Sequence, residues 1–236
     1  MTKRERYLNA MLGKSVDELI WAPNLDYWLY VNTSEETLPD KYVGVSRNDI
    51  VRSIGGYIWN RAGGLKTVHD ISVRERHTAE GATLVHEYET PIGTIREVFN
   101  ESEGKKRSKS LVEHFVKDMD SLKIMKYIVE ATHYEADYEA TNNALRETGN
   151  DGIVLNQYFC VPFIQFAKTD VGYINALYMW NDFKKVIDEY LNLIQLKFLQ
   201  GYSVLADGPA DVIATGDNMD GFMISPDIFS EYAIPF

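Results

Sequence analysis

The amino-acid sequence predicts an α/β protein, and three observations carry that reading. In the C-terminal half a helix, a strand, a long helix and a second strand follow one another, the alternation expected of a parallel α/β sheet or barrel. The chain has 236 residues, 45% of them hydrophobic, enough to bury a full core in one large domain or two small ones. A β-rich passage over residues 65–100 interrupts the alternation and reads as an insertion. No internal repeat, low-complexity tract or interdomain linker divides the chain, so residues 1–236 are read as a single domain.

The elements follow in order. "TKRERYLNAML" has helical apolar spacing and Gly13 is a natural stop. "DELIWAPNL" is a short apolar run that predicts a first core strand. After a polar loop, Ser46 is placed to cap a helix through "RNDIVRSIG". The pairs Gly55-Gly56 and Gly63-Gly64 then punctuate a turn-rich passage. "LKTVHDISVRE", "ATLVHEYET" and "GTIREVFNE" alternate or are rich in β-branched residues, which predicts a small antiparallel sheet or hairpin extension. Within "YETPIGTIREVF", the turn Thr90-Pro91-Ile92-Gly93 joins two of its strands. From Asp118 the pattern turns helical, through "DMDSLKIMKYIVEA" and "YEADYEATNNALRETG", with Gly149 as the stop. The apolar strand "GIVLNQYF" comes next. One long helix, "YINALYMWNDFKKVIDEYLNLIQLKFLQ", leads through Gly201 to the strand "DVIATGD", and "SPDIFSEYAIPF" supplies a last short helix.

Composition narrows the function. A net charge of −11 argues against a protein that tracks nucleic-acid phosphates, which needs clustered Lys and Arg. The basic stretches "KRERY" and "EGKKRSK" read as solvated surface. The N-terminus lacks the apolar core of a signal peptide, and no stretch approaches the ~18 apolar residues of a membrane span, so the expected location is cytoplasmic. The single cysteine, Cys160, excludes an internal disulfide and a thiolate-rich metal site, and reads as a buried small hydrophobe. His69, His77, His86, His114 and His133 show no metal-ligand spacing, so no metal ligand is assigned.

In parallel α/β proteins the functional groups collect after the carboxyl ends of strands. Three stretches qualify. "APNLDYWLY" offers Asp26, Tyr27, Trp28 and Tyr30; "NQYFCVPFIQF" offers Gln157 and Tyr158; "GDNMDG" offers Asp217 and Asn218. A carboxylate at a strand end can accept a proton, hold a metal or pair with a cation. Each also has a plainer role. Asp217 and Asn218 can cap the next turn through backbone N–H groups, and the aromatic trio can serve packing.

These stretches together resemble the uroporphyrinogen decarboxylase superfamily, which includes porphyrinogen decarboxylases and corrinoid-linked methyltransferases. The resemblance runs over nearly the whole chain, through "TKRERYLNAMLGKSVDELIWAP", "YETPIGTIREVF", "DMDSLKIMKYIVEA" and "FCVPFIQF". Its most specific part is "DVIATGDNMDGFMISPDIFSEYAIPF". It implies a TIM (β/α)8-type barrel with its site at the carboxyl face and the hairpin near the barrel mouth. Asp217 and Asn218 would then be catalytic, and Asp26, Tyr27, Trp28, Gln157 and Tyr158 would bind substrate. "ETPIG" is similar to a segment of the methyltransferase-like members. Where decarboxylases carry an arginine-rich "RQAGR" to hold many carboxylates, this chain has "PNLDYWLY", an acid and aromatics.

The activity so implied is methyl transfer from a small methylated donor to a corrinoid carried by a partner protein. A porphyrinogen decarboxylase is the runner-up, and a catalytically incomplete barrel serving as a binding or assembly module is a third reading. Relatives that bind zinc do so through a His-x-Cys and a later Cys beyond the position of Phe236, so those ligands are not in this chain. On the same comparison the barrel is expected to be incomplete at its C-terminus, and a homodimer or a complementary polypeptide is expected to cover the edge of "DVIATGD".

Overall fold

Local signals determine the first elements. Thr2 caps α1 (Lys3–Met11) in a capping box closed by Glu5, an arrangement that satisfies two otherwise orphaned N–H groups. Gly13 follows with φ +69°. Ser46 caps α3 (Arg47–Ser53) by accepting from the Asp49 N–H at 3.1 Å. The computed structural model describes residues 1–102, 108–217, 219–221 and 223–236; Asn218 therefore lies outside the described residues.

The stretch 17–25 is not a strand. Leu19 and Trp21 are exposed, and the one ladder-like contact is the Tyr57 N–H donating to Trp21 O at 2.8 Å. An apolar run becomes a strand only where a neighbour takes its backbone groups, and Pro23 removes a donor as well. The "loop" expected after it is helical: α2 (Asp26–Ser34) starts where the Asn24 side chain accepts the Asp26 N–H at 3.1 Å.

Three parallel strands make the central sheet, in the order β1 (Ile58–Ala62), β8 (Gly152–Gln157), β9 (Val212–Ala214). The pairing runs Ile58↔Gly152 to Ala62↔Asn156, and then Leu155↔Val212 to Gln157↔Ala214. The molecule is thus a mixed α/β protein with a parallel sheet, but among the described residues the sheet does not close: β1 and β9 are its two edges. A barrel needs eight such strands joined edge to edge, and the intervening chain forms other sheets instead. No helix among the described residues is long and apolar enough to cross a membrane.

The β-rich passage is built as expected of its alternation, with a wider reach. The strands β3 (Arg74–Glu80), β4 (Thr83–Thr90), β5 (Gly93–Glu101) and β6 (Lys109–Glu113) form an antiparallel sheet in that order. The hairpin of β4 and β5 turns through Pro91 and Ile92, with Thr90 opposite Gly93. By contrast β2 (Leu65–His69) pairs with β7 (Thr132–Ala136), in a stretch where helical spacing had predicted helix from Tyr134 onward. Tertiary pairing overrides a local preference of this size. The helix itself, α5 (Glu139–Thr148), begins later and packs on β1 and β8.

The core lies on the other side of β7. α4 (Met119–Glu130) turns Leu122, Met125 and Ile128 inward, a spacing of three that keeps them on one apolar face. The predicted long helix is two: α7 (Tyr173–Asp182) and α8 (Lys184–Ala206), separated at Phe183, whose φ of −130° leaves the helical region. α8 buries Ile187, Tyr190, Leu191, Ile194, Phe198, Gly201 and Leu205. Between β8 and α7 the chain makes a short helix, α6 (Pro162–Ile164), which runs directly into a π-helical turn over Gln165–Asp170. The last helix, α9 (Pro226–Ile228), is capped by Ser225 and also continues as a π-turn.

Candidate functional site

At the carboxyl end of the parallel sheet the backbone of two loops is sewn together. Tyr158 N–H donates to Ala214 O at 3.2 Å, Gly216 N–H to Phe159 O at 2.9 Å, and Val161 N–H to the Asp217 carboxylate at 2.8 Å. The Gln157 amide reaches Thr215 O at 3.3 Å. Tyr158 turns its hydroxyl away, where it accepts from the Gly64 and Leu65 N–H groups at 2.8 and 3.0 Å. Gln157, Tyr158 and Asp217 are thus neighbours, and each has a structural partner. Asp217 sits as a cap on the segment that starts at Val161, and its charge reaches the Cys160 thiol and the Tyr202 phenol. Burial first, and Asp217 second, hold both groups up at about 12.

Asp26, Tyr27 and Trp28 belong elsewhere. Asp26 pairs with Arg47 at 2.6 Å, and Arg47 holds Asn60 and the Trp59 carbonyl on β1, across the sheet from β9. Tyr27 is exposed, and Trp28 packs edge-on against Tyr42. The structure therefore brings together two of the three sequence-derived groups and leaves the aromatic one on the opposite edge.

The loop after β8 opens instead onto a cavity of about 330 Å³ between α4, α8, the β2–β7 pair and the π-turn. Phe159 forms one wall. Its φ is +50°, a left-handed conformation that costs a bulky residue energy and persists only where the surroundings hold it. They do so by stacking: Phe198 lies parallel at 4.4 Å, with Tyr134 and Tyr202 edge-on at 5.0 and 5.2 Å. Gly201 makes the room, because a Cβ there would lie 2.5 Å from the Phe159 ring. Tyr88 and Phe115, with ring centres 5.3 Å apart, supply more aromatic wall.

One carboxyl faces this apolar space. Asp170 ends the π-turn and is 3% exposed. Gln165 donates to it at 2.8 Å and the Tyr190 hydroxyl at 2.7 Å. Burial raises its pKa to about 6, against the pull of those two hydrogen bonds, so near neutral pH it exchanges a proton easily. Burial likewise pushes Tyr190 far above a normal phenol and Tyr134 to about 12. The cation at the rim, Lys197, is committed to the Glu130 and Thr132 carbonyls at 2.8 and 2.7 Å. The arrangement can enclose a small aromatic or alkylated molecule and give it a proton.

Asp170, Tyr190 and Phe159 were not legible as site residues in the sequence. One signal was present: Asp170 is the only acidic residue between Asp151 and Asp182, and with Lys168 it is one of two charged residues in that stretch. Among the described residues, the grouping with metal-ligand spacing is Glu75, His77 and His86, on the antiparallel sheet. Comparisons with protein-family models, curated proteins and solved structures find no match to this chain.

Proposed function

We propose that this chain is a methyl-transferring protein of the uroporphyrinogen decarboxylase type, that its small methylated substrate occupies the cavity beside Phe159, and that Asp170 is its acid. The observation that carries the reading is a protonatable carboxyl, with a pKa of about 6, inside an aromatic-walled cavity of about 330 Å³. That volume suits a small ligand. The aromatic walls favour a methoxyarene or a methylated amine over a polyanion. A porphyrinogen, with its many carboxylates, needs several cationic partners, and among the described residues the lining of this cavity offers Lys197 alone, two of whose three donors are already bonded.

A corrinoid on a partner protein would supply the nucleophile that takes the methyl group. The residues of this chain do the rest. The aromatic walls hold the donor and exclude water. Asp170 delivers its proton to the oxygen or nitrogen that keeps the bonding electrons as its bond to the methyl carbon breaks, and Gln165 and Tyr190 stabilise the carboxylate left behind. A thiolate-bound zinc does not fit: Cys160 is the only cysteine, and its thiol is held at about 12.

The test is methyl transfer to free cob(I)alamin from a panel of methoxybenzenes and methylamines. Turnover should fall at least ~100-fold in Asp170→Asn with substrate binding retained, the usual scale for losing an acid. Unchanged turnover in that variant, or robust decarboxylation of uroporphyrinogen by the wild type, would refute the reading. The same reading includes association with a second chain along β9, which pairs only with β8 among the described residues. A sedimentation profile of a stable monomer at micromolar concentration speaks against that part.

A further inference from the structure

We propose that the antiparallel sheet carries a divalent transition-metal site in which Glu75, His77 and His86 are the ligands and Glu97 orients His86. The site does not rest on the cavity chemistry proposed above, although it adjoins the cavity: His86 packs on the wall rings Tyr88 and Phe115, and the Tyr88 hydroxyl donates to Glu75 at 3.3 Å.

The register creates it. Residues two apart on a strand share a face, and directly paired residues on neighbouring antiparallel strands stand side by side. His77 is paired with His86, Glu75 with Tyr88, and His86 with Glu97. Three adjacent strands therefore present Glu75, His77, His86 and Glu97 on one face. No spacing along the chain reveals this, because eight residues, a turn among them, separate the two histidines.

Their side chains converge on one point. The same oxygen, Glu75 Oε1, lies 3.1 Å from His77 Nε2 and 2.7 Å from His86 Nε2, and all three ligand atoms lie within 4.8 Å of one another. The two imidazoles stack, with centres 4.2 Å apart. On the far side of its ring, His86 Nδ1 donates to Glu97 at 2.8 Å. Glu97 is 7% exposed, so its need for that donor is strong, and the bond fixes the orientation of the His86 ring. Nε2 points at the Glu75 carboxylate, so the ring can carry a proton on each nitrogen between the two carboxylates, and a divalent ion would take the place of the Nε2 proton. A carboxylate–histidine–metal relay has this form.

Two imidazoles and one carboxylate are the donor set of zinc and its neighbours, with ligand distances of about 2.0–2.2 Å. Three protein ligands leave a fourth position open, and the exposed face here gives it to solvent. His77 is largely exposed, so its ring can move by the few tenths of an ångström that closing around an ion requires.

Calorimetric titration of the full chain with Zn²⁺ tests the proposal, together with the visible spectrum after Co²⁺ substitution. One equivalent should bind, with the intense absorption of a four- or five-coordinate cobalt site. His77→Ala, His86→Ala and Glu75→Ala should each abolish the site, while Glu97→Gln should weaken it ~10–100-fold with stoichiometry unchanged, the range for an orienting partner. His133→Ala, which alters a histidine outside the cluster, should bind normally. Because His77 lies on the surface, its variant should keep the wild-type circular dichroism. The absence of one-equivalent binding, or unchanged affinity in a folded His77→Ala, would overturn the assignment.

Discussion

Two aspartates, Asp217 and Asp170, show how differently one residue type is used around the segment that follows β8. Asp217 stands where strand-end reasoning looks for chemistry, yet it is half-buried and accepts from one backbone N–H. Asp170 stands at the end of a helical turn, where that reasoning does not look, and is wholly enclosed, with two side chains as its donors. Burial raises the proton affinity of Asp170, with its pKa at about 6. Position along the fold nominates a residue, but desolvation makes it reactive.

The largest effect that could break this contrast is on stability. Asp170→Ala leaves the Tyr190 hydroxyl and the Gln165 amide unpaired in the core and opens a void. The expected loss is about 3–5 kcal/mol, or roughly 10 °C in Tm. A Tm within a degree or two of wild type would mean that the site is wetter than its geometry implies.

The next effect is on pH dependence. The folded-state pKa of Asp170 is raised from 3.8 to about 6, so the native state binds the proton more tightly than the unfolded chain does. The stability this provides is complete below about pH 4 and is lost as the pH rises through about 6, on the order of 2–3 kcal/mol in all. Denaturant melts of wild type and Asp170→Asn across this window should differ in slope, the variant lacking this fall.

Gly201→Ala sharpens the contrast from the wall of the cavity. The new methyl meets the Phe159 ring and should cost about 1–3 kcal/mol. Because that ring is the wall, binding of any cavity ligand should weaken along with stability, which ligand-induced shifts in Tm can read. A variant that lost stability but bound unchanged would place the ligand elsewhere.

Asp217→Asn is expected to do least. Its side-chain oxygen can still accept the Val161 N–H, so the change should stay below about 1 kcal/mol. A large loss of turnover in this variant, with Asp170→Asn active, would reverse the roles assigned to the two residues.

Much of the fold was legible because it is locally coded. Ser46 caps its helix as its position predicts, the buried residues of α4 recur every three positions, and the continuous apolar run of β8 is buried as a central parallel strand should be. The misses were those in which a partner decides. Thr132–Ala136 is a strand because β2 lies beside it, and 17–25 is not one because its backbone meets a neighbour at one point, where Tyr57 N–H donates to Trp21 O. The strands β8 and β9 were an incomplete guide to architecture, since a barrel depends on how many neighbours follow, and β1 lies in the passage read as turns. For the site, Gln157, Tyr158 and Asp217 could be gathered from strand ends. The cavity could not, because it joins Tyr88, Phe159, Asp170 and Tyr190 from four elements distant in sequence. Nor could His77 and His86, which meet only through register.

The π-turn over Gln165–Asp170 sets the heading of the buried acid. In a regular α-helix, residues five apart point about 140° away from each other, since each step turns about 100°. The wider turn, with Val171 N–H reaching back five residues to Phe166 O, brings Gln165 and Asp170 onto one side so that they can bond. Such a turn amounts to one residue inserted into a helix. The acid's orientation is therefore stored in chain length rather than in residue identity, and shortening this segment by one residue would swing Asp170 off the cavity even with every side chain around it preserved.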